Sequence, residues 1–417
     1  MKKPSLPLYI TCTLGTALFL VIISCDANQK NKGASQSISY STNSYTDSLS
    51  LVLEHEYEKG AIPGFALSIF TKDSILYQHG FGYSDIESKK PYTVNSVQII
   101  ASITKTFIGV ALMKAVEEGK IGLDDDVSDI LPYDVSNPKF PNTPITIRHL
   151  ATHSSSITGT DNSDDGYRFE SPLLEDEFPK AHHPFLENLN KTEDLSMADY
   201  LRYKLSKEEK WYEKKVFSEN EPGSTYDYSN LGATLLAHCI ELKTGQALNQ
   251  YTDQLILKPL KMNSSTWWLD QVNKSEEVTY YNEIMNEVPR YSLVTYPDGG
   301  LYSSVSDLTK YLQEMMKGYD GEGTLLKAAS FKEMMTKHYE NEETTEGLCW
   351  DLSMGVDLIG HSGNDFGTAT VAYYSPSTGI GRIMFTNIST ETEEIADSFY
   401  GIYSLLYHYD FNQSNDD

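Results

Sequence analysis

Apolar positions recur with a helical period from Leu49 to Glu58, with acidic residues on the opposite face. Pro63-Gly64 closes the exit of that helix. Phe65 to Thr71 and Ser74 to Gly82 are short apolar-rich runs around Lys72-Asp73, a pattern that predicts a hairpin. Val97 to Ile100 is a brief apolar run. Thr104 to Glu118 then reads as a long helix, with Gly119 placed to end it. Ile121 to Ile130 follows, solvated on one side by acidic residues. Ile145 to Leu150 opens another helical stretch, capped by Thr146. Gly159 to Asn190 is polar, irregular and long for a structureless loop, which makes it a functional rim or a partly ordered insertion. Helical patterns return over Met197 to Lys215, Leu231 to Lys243 (ended by Gly245), Leu248 to Leu257 and Ser303 to Met316. Near the C-terminus, Thr368 to Tyr374 and Gly381 to Asn387 flank the turn residues Ser375 to Gly379, a strand pair. Ile395 to Tyr409 is a last amphipathic helix.

Strands at both ends with helices between them imply an α/β (α+β) fold. The sheet is expected from the chain's two ends, about 48–100 and 345–410, with a mainly helical lobe, about 101–344, inserted between them. A cleft is expected at the seam.

The first 24 residues do not read as part of that fold. Lys2 and Lys3 give a basic start, Leu8 to Ile23 is mostly apolar, and Ser24 is small. That is the shape of an export signal, since a stable membrane span needs ~20 apolar residues. Ile22-Ile23-Ser24-Cys25 resembles the cleavage box of bacterial lipoproteins, which implies lipidation of Cys25 and a lipid-anchored protein of the cell envelope. Without lipidation the product would be secreted or periplasmic. Residues 25–47 read as a flexible tether, 48–410 as the folded domain and 411–417 as a polar tail. Acidic residues outnumber basic ones by 59 to 33, which argues against nucleic acid as a partner. Cys239 and Cys349 remain in the mature chain, as a disulfide or as buried thiols.

Ser102-Ile103-Thr104-Lys105 puts a hydroxyl and an amine on one helical turn, at the start of an apolar helix. A serine is a weak nucleophile until something takes its proton, and a lysine shielded from water can share that task. The other Ser-x-x-Lys, Ser136 to Lys139, contains Pro138, which a helix interior tolerates poorly. Taken alone, Ser-x-x-Lys is as well explained by a helix cap and a solvated lysine. Tyr228-Ser229-Asn230 adds a phenol for proton relay and an amide with both donor and acceptor. Gly360-His361-Ser362-Gly363-Asn364, read as lying just before a strand, adds a histidine that could bind a carboxylate, and a glycine that permits close backbone approach. The Asn364 N–H could join the Ser102 N–H in holding an oxyanion.

Together these motifs resemble the serine beta-lactamase-related superfamily, close to class C beta-lactamases, DD-carboxypeptidases and related esterases. The family order is Ser-x-x-Lys, Tyr-x-Asn, then Lys/His-x-Gly, here Ser102/Lys105, Tyr228/Asn230 and His361/Gly363. Thr146 to His153, Glu221 to Asn230, Lys258 to Met262 and Asp298 to Leu301 are similar to the family too, so the likeness runs from about Leu49 to Leu406. It implies a beta-lactamase/transpeptidase-like fold with an antiparallel sheet. It also implies acyl transfer to Ser102, with Lys105 and Tyr228 moving the proton and the N–H groups of Ser102 and Asn364 holding the oxyanion. Which of Lys105 and Tyr228 is the formal base stays open. Asn230, His361, Ser362 and Gly363 are the implied substrate-binding residues. His361 stands where true class C enzymes commonly carry lysine, which favours an esterase or peptidase over an efficient beta-lactamase. His153-Ser154-Ser155-Ser156 departs from the family's His-Thr-Ser-Gly by losing the glycine.

No cofactor and no metal is expected. The chain has no Gly-x-Ser-x-Gly elbow and no His-Glu-x-x-His. Asp161 to Gly166 starts like a calcium loop but lacks the closing glutamate, and adjacent His182-His183 do not have metal-ligand spacing on a helix. The expected substrate is a small ester, peptide or beta-lactam-like molecule. A DD-carboxypeptidase or D-amino-acid peptidase, with a His361 imidazolium pairing a terminal carboxylate, or a weak beta-lactamase, is the alternative. A non-catalytic binding protein on the same fold is the third reading.

Overall fold

The structure, a computed structural model, describes residues 42–158, 166–180, 182–190, 194–341, 344–352 and 357–408. The expected signal segment, Cys25, most of the tether, the acidic turn at 161–165 and the polar tail lie outside the described residues. Among the described residues no helix is long and apolar enough to cross a membrane.

Helix α1, Thr42–Lys59, leads into strands β1, Gly64–Phe70, β2, Ile75–Asp85, and the short β3, Lys90–Pro91. The body of the chain supplies helices α2, Lys105–Glu117, α3, Asn230–Thr244, and α4, Val305–Tyr319. The chain returns to the sheet with β4, Ile359–Asp365, β5, Thr368–Ser375, and β6, Ile380–Thr386, and ends in α5, Glu393–His408. The antiparallel sheet has the order β4-β5-β6-β1-β2-β3, so N- and C-terminal strands meet at the β6–β1 seam. There Phe65 lies opposite Thr386 and Phe70 opposite Gly381. The sheet expected from the two ends of the chain is therefore present.

Both faces of the sheet are covered, and the two-residue period of the strands divides them. Phe65, Leu67, Ile69, Val371 and Met384 point to one face, where they pack with Leu49 and Leu53 of α1 and Phe399 and Leu406 of α5. Ala66, Phe70, Ala372, Ile383 and Phe385 point to the other and join the core formed with α2, α3 and α4. Each large apolar side chain buried this way contributes roughly 1.5–3 kcal/mol.

Local signals explain the boundaries. Ser229 caps α3 through the Gly232 N–H at 2.9 Å, and Gly245 ends it at φ +72°. Thr146 and His149 form a reciprocal capping box on the helix Ile147–Ala151. Three expectations change. The helix expected over Met197 to Lys215 stops at Leu205, because Met197, Tyr200, Leu201 and Leu205 give it a buried face and the charged residues after Ser206 do not. The helical turn expected to carry the nucleophile at the start of the long helix is not α-helical. Ala101–Thr104 is a separate 3₁₀ turn ahead of α2. The His361 motif does not precede a strand but is the edge strand β4 itself.

Cys239 and Cys349 are both free and buried, and burial pushes each thiol up to about 12. Iodoacetamide should leave the peptides carrying Cys239 and Cys349 unmodified in the native protein and alkylate both once it is unfolded. Rapid native alkylation at either position would contradict this burial.

Candidate active site

Ser102 is held by what precedes it. Gln98 donates to the Thr386 carbonyl at 2.9 Å, and Tyr280 takes the Ile99 N–H at 2.9 Å. Thr368 and Thr370 of β5 donate to the carbonyls of Ile99 and Ile100 at 3.1 and 2.9 Å. The chain thus arrives at Ser102 pinned to the sheet. Ala101, the residue before it, has φ +47°, an unfavourable left-handed conformation for an L-residue costing of order 1–2 kcal/mol.

Lys105 is 1% exposed. Its Nζ donates to Ser102 Oγ at 3.0 Å and to the Asp298 carbonyl oxygen, and lies 5.1 Å from the Tyr228 ring centroid. Asp298 is itself buried, and Thr234 donates to its carboxylate at 2.8 Å. Burial raises that carboxyl above the usual carboxylate range, opposed by Lys105.

Tyr228 lies beside two histidine rings. Its ring centroid is 4.3 Å from that of His153 and 6.3 Å from that of His361. His153 is buried with φ +51°, and its Nδ1 accepts the Ser229 N–H at 3.2 Å. Burial, with Lys105 and His361 nearby, depresses His153 well below the ordinary histidine range, so it packs as a neutral ring. The expected loss of a glycine at Ser156 has a visible cost: Ser156 keeps φ +64°, a position where glycine would be unstrained.

His361 is lowered to about 4, first by burial and then by Lys105. Its Nδ1 faces the Ser362 carbonyl at 2.5 Å. Near neutral pH the neutral ring is therefore favoured, with Nδ1 donating to that carbonyl and Nε2 left as an acceptor. The imidazolium expected to pair a carboxylate is not the form this site favours, because burying a second positive charge beside Lys105 is costly.

Edge strand β4 supplies the rest. Gly360 exchanges hydrogen bonds with Asp351 at 3.0 and 3.1 Å on its free side. Strand alternation then turns the N–H groups of Ser362 and Asn364 to the same side, away from β5. Ser102, Asn230, Asp298, Asn364 and Asp365 line one small cleft that opens to solvent. The Asn364 side chain is occupied elsewhere, accepting the Thr390 N–H at 2.8 Å. Asn230 Oδ1 is buried without a hydrogen-bond partner among the described residues, an acceptor left for a ligand. Gly363 sits where a Cβ would lie 2.7 Å from the Ile100 carbonyl and 2.9 Å from the Ala101 Cβ, so glycine is what lets the Ser102 turn reach the strand.

The structure therefore gathers Ser102, Lys105, Tyr228, Asn230, His361, Gly363 and Asn364. It does not bring the Ser362 side chain into the cleft: alternation turns it to the other sheet face, beside the Tyr373 hydroxyl. Among the described residues no His, Cys, Asp and Glu group is arranged to hold a metal. Sequence reasoning missed the Asp298 carbonyl, because a backbone acceptor leaves no mark in side-chain motifs. It also missed His153 as the rest for Tyr228, and Asp365 with Tyr167. Asp365 was findable, being two residues past Gly363 and so on the same strand face.

This sheet, with helices on both faces and a serine–lysine contact at its edge, defines the beta-lactamase/transpeptidase superfamily fold, a superfamily of serine hydrolases. The Beta-lactamase family model matches residues 49–404, and the chain belongs to that family. It is 25% identical over 355 residues to Protein flp of Staphylococcus aureus (strain MRSA252), covering 84% of this chain and 64% of that protein. It is also 25% identical over 318 residues to Penicillin-binding protein 4* of Bacillus subtilis (strain 168), covering 71% of this chain and 62% of that one. The chain thus spans less than two thirds of the length of these curated relatives. Among solved structures, the octameric penicillin-binding protein homologue from Pyrococcus abyssi superposes with a TM-score of 0.66 at 25% identity, over 87% of this chain and 77% of that one. A class C beta-lactamase gives 0.64 at 19% identity, over 90% and 97%, a likeness of fold.

Proposed function

We propose that this protein is a serine hydrolase that cleaves ester or amide bonds through an acyl-enzyme on Ser102. The observation that carries the reading is the buried Lys105 amine 3.0 Å from Ser102 Oγ, with the Tyr228 ring 5.1 Å from the same nitrogen. Ser102 Oγ attacks the carbonyl carbon, and its proton passes into the Lys105–Tyr228 pair. The N–H groups of Ser102 and Asn364 hold the negative oxygen of the tetrahedral intermediate. The proton then goes to the leaving group, and water releases the acyl group by the same steps in reverse order. Asn230 and His361 line the path of the substrate.

An esterase or peptidase is the preferred form of this activity. A DD-carboxypeptidase would profit from a cation facing the terminal carboxylate, and the neutral His361 supplies only a hydrogen-bonding ring. Two relatives named as penicillin-binding proteins keep beta-lactams in the substrate panel. The lipid anchor at Cys25 is proposed from the cleavage-box sequence alone.

The test is mass spectrometry of the folded domain after a fluorophosphonate probe. One adduct per chain, located on Ser102, is the expected result. A folded protein that takes no adduct, or takes it elsewhere, overturns the reading in favour of a binding protein.

A further inference from the structure

We propose that the acyl half of the cleft receives a primary ammonium group, with Asp365 as its counter-ion and Tyr167 holding that carboxylate in place. The proposal rests on the hydrolase reading and names its substrate class: acyl donors that carry a free amine, such as aminoacyl esters or peptides with a free N-terminus.

Direction along the cleft comes first. His361, Gly363 and Asp365 share one face of β4, with Gly363 against the turn that carries Ser102. His361 and Asp365 therefore flank the nucleophile from opposite ends, roughly 13 Å apart along the strand at ~3.3 Å per residue. Tyr228 lies at the His361 end. A group that returns the proton to the leaving group has to stand beside it, so the leaving group occupies the His361 end. The acyl portion then extends toward Asp365.

What waits there is a carboxylate built to stay in place. Asp365 is 8% exposed, and its Oδ1 accepts from the Tyr167 hydroxyl at 2.7 Å and from the Phe366 N–H at 2.8 Å. Its other oxygen takes no hydrogen bond from a described residue, and the side chain lines the cleft with Ser102. Such an oxygen asks for a donor, and a cationic donor repays its desolvation best. The surroundings agree. Asp298 lines the same cleft, the nearby phenols of Tyr280, Tyr291 and Tyr302 carry no charge, and Lys105 is the cation that faces Asp365. Burial raises Asp365 to about 6, so it is largely ionised at neutral pH, and an incoming ammonium would favour the ionised form further. Tyr167 lines this end of the cleft, and Phe169, Tyr291 and Phe366 pack against its ring, Phe366 meeting it edge to face at 5.1 Å. Aromatic faces suit an ammonium as well.

The probes are 1-aminoethylboronic acid and its N-acetyl derivative, in both enantiomers. Each captures a nucleophilic serine without a leaving group: the Ser102 oxygen bonds to boron, which becomes tetrahedral and anionic, and the hydroxyl proton passes to the Lys105–Tyr228 pair. Inhibition constants therefore do not depend on whether esters or amides are turned over. The expected result is that the better enantiomer of the free amine inhibits about tenfold or more tightly than its N-acetyl form, with the ratio falling toward one in Asp365→Asn. Equal inhibition, tighter binding of the N-acetyl form, or no inhibition by either, in wild-type protein whose Ser102 still takes the fluorophosphonate, overturns the ammonium site alone. Loss of the fluorophosphonate adduct as well would overturn the hydrolase reading. The wild-type ratio decides even if Asp365→Asn fails to fold.

Discussion

Ser102→Ala, Lys105→Met and the double variant should all lose the same activity, on the order of 10⁴-fold in kcat/KM on an activated ester, and not the product of two separate losses. The reason lies in one contact. Lys105 Nζ reaches Ser102 Oγ at 3.0 Å and also meets the Asp298 carbonyl and the face of Tyr228. The hydroxyl is inert without a proton acceptor, and the Lys105–Tyr228 pair has no proton to receive once the hydroxyl is gone. Groups that act as a unit are lost as a unit. Lys105→Arg should not rescue activity, because a guanidinium keeps its proton across the working range and cannot share a proton with Ser102 and Tyr228. Stopped assays on the three variants, with circular dichroism to confirm folding, provide the check. Losses that multiply in the double variant would mean that serine and lysine act in separate steps. A Lys105→Met variant within tenfold of wild type would assign the base role to Tyr228 alone.

The parts of this site that sequence revealed are those written in side chains at short spacing. Ser102 and Lys105 are one turn apart, and the contact follows from helical geometry, although the turn is 3₁₀ where an α-helix was expected. Tyr228 and Asn230 stand at the start of α3, whose cap Ser229 and terminator Gly245 were both visible as residue types. The hairpins of the sheet were visible in their apolar runs and turn residues. What stayed hidden depends on pairing between distant segments. Nothing local says that β4 is an edge strand, so nothing local says that the Asn364 N–H faces outward or that the Ser362 side chain faces away. The Asp298 carbonyl meets Lys105 across 193 positions in the chain. The ionisation of His361 depends on burial and on Lys105, which both favour the neutral ring over the imidazolium suggested by residue type. Tyr167 lay in a segment that read only as polar and irregular, yet it pairs by a short strand with Tyr291–Leu293 and reaches the cleft.

Gly363→Ala should cut kcat/KM by about 10²-fold or more and lower stability by roughly 1–3 kcal/mol, although it adds a single methyl group. That methyl would lie 2.6 Å from Thr370 Oγ1, 2.7 Å from the Ile100 carbonyl and 2.9 Å from the Ala101 Cβ. None of these can simply swing aside. Thr370 Oγ1 is the donor that pins the Ile100 carbonyl at 2.9 Å, and Ala101 already holds φ +47°. Relief must come from moving the turn off the strand, and Ser102 is the next residue along. Moving Ser102 by even an ångström separates its N–H from that of Asn364 and breaks the pair proposed to hold the oxyanion. The loss should fall mainly on kcat, with fluorophosphonate labelling slowed in parallel, since the damaged element serves the transition state more than binding. Gly401 in α5 is the matched control. Nothing lies within 4 Å of the Cβ it would gain, and alanine there should leave activity unchanged and stabilise the helix slightly. Thermal melts and steady-state kinetics on the two variants separate the cases. Wild-type activity in Gly363→Ala would mean that the turn has slack the contacts deny, and that the approach of Ser102 to β4 is not what sets the oxyanion pair.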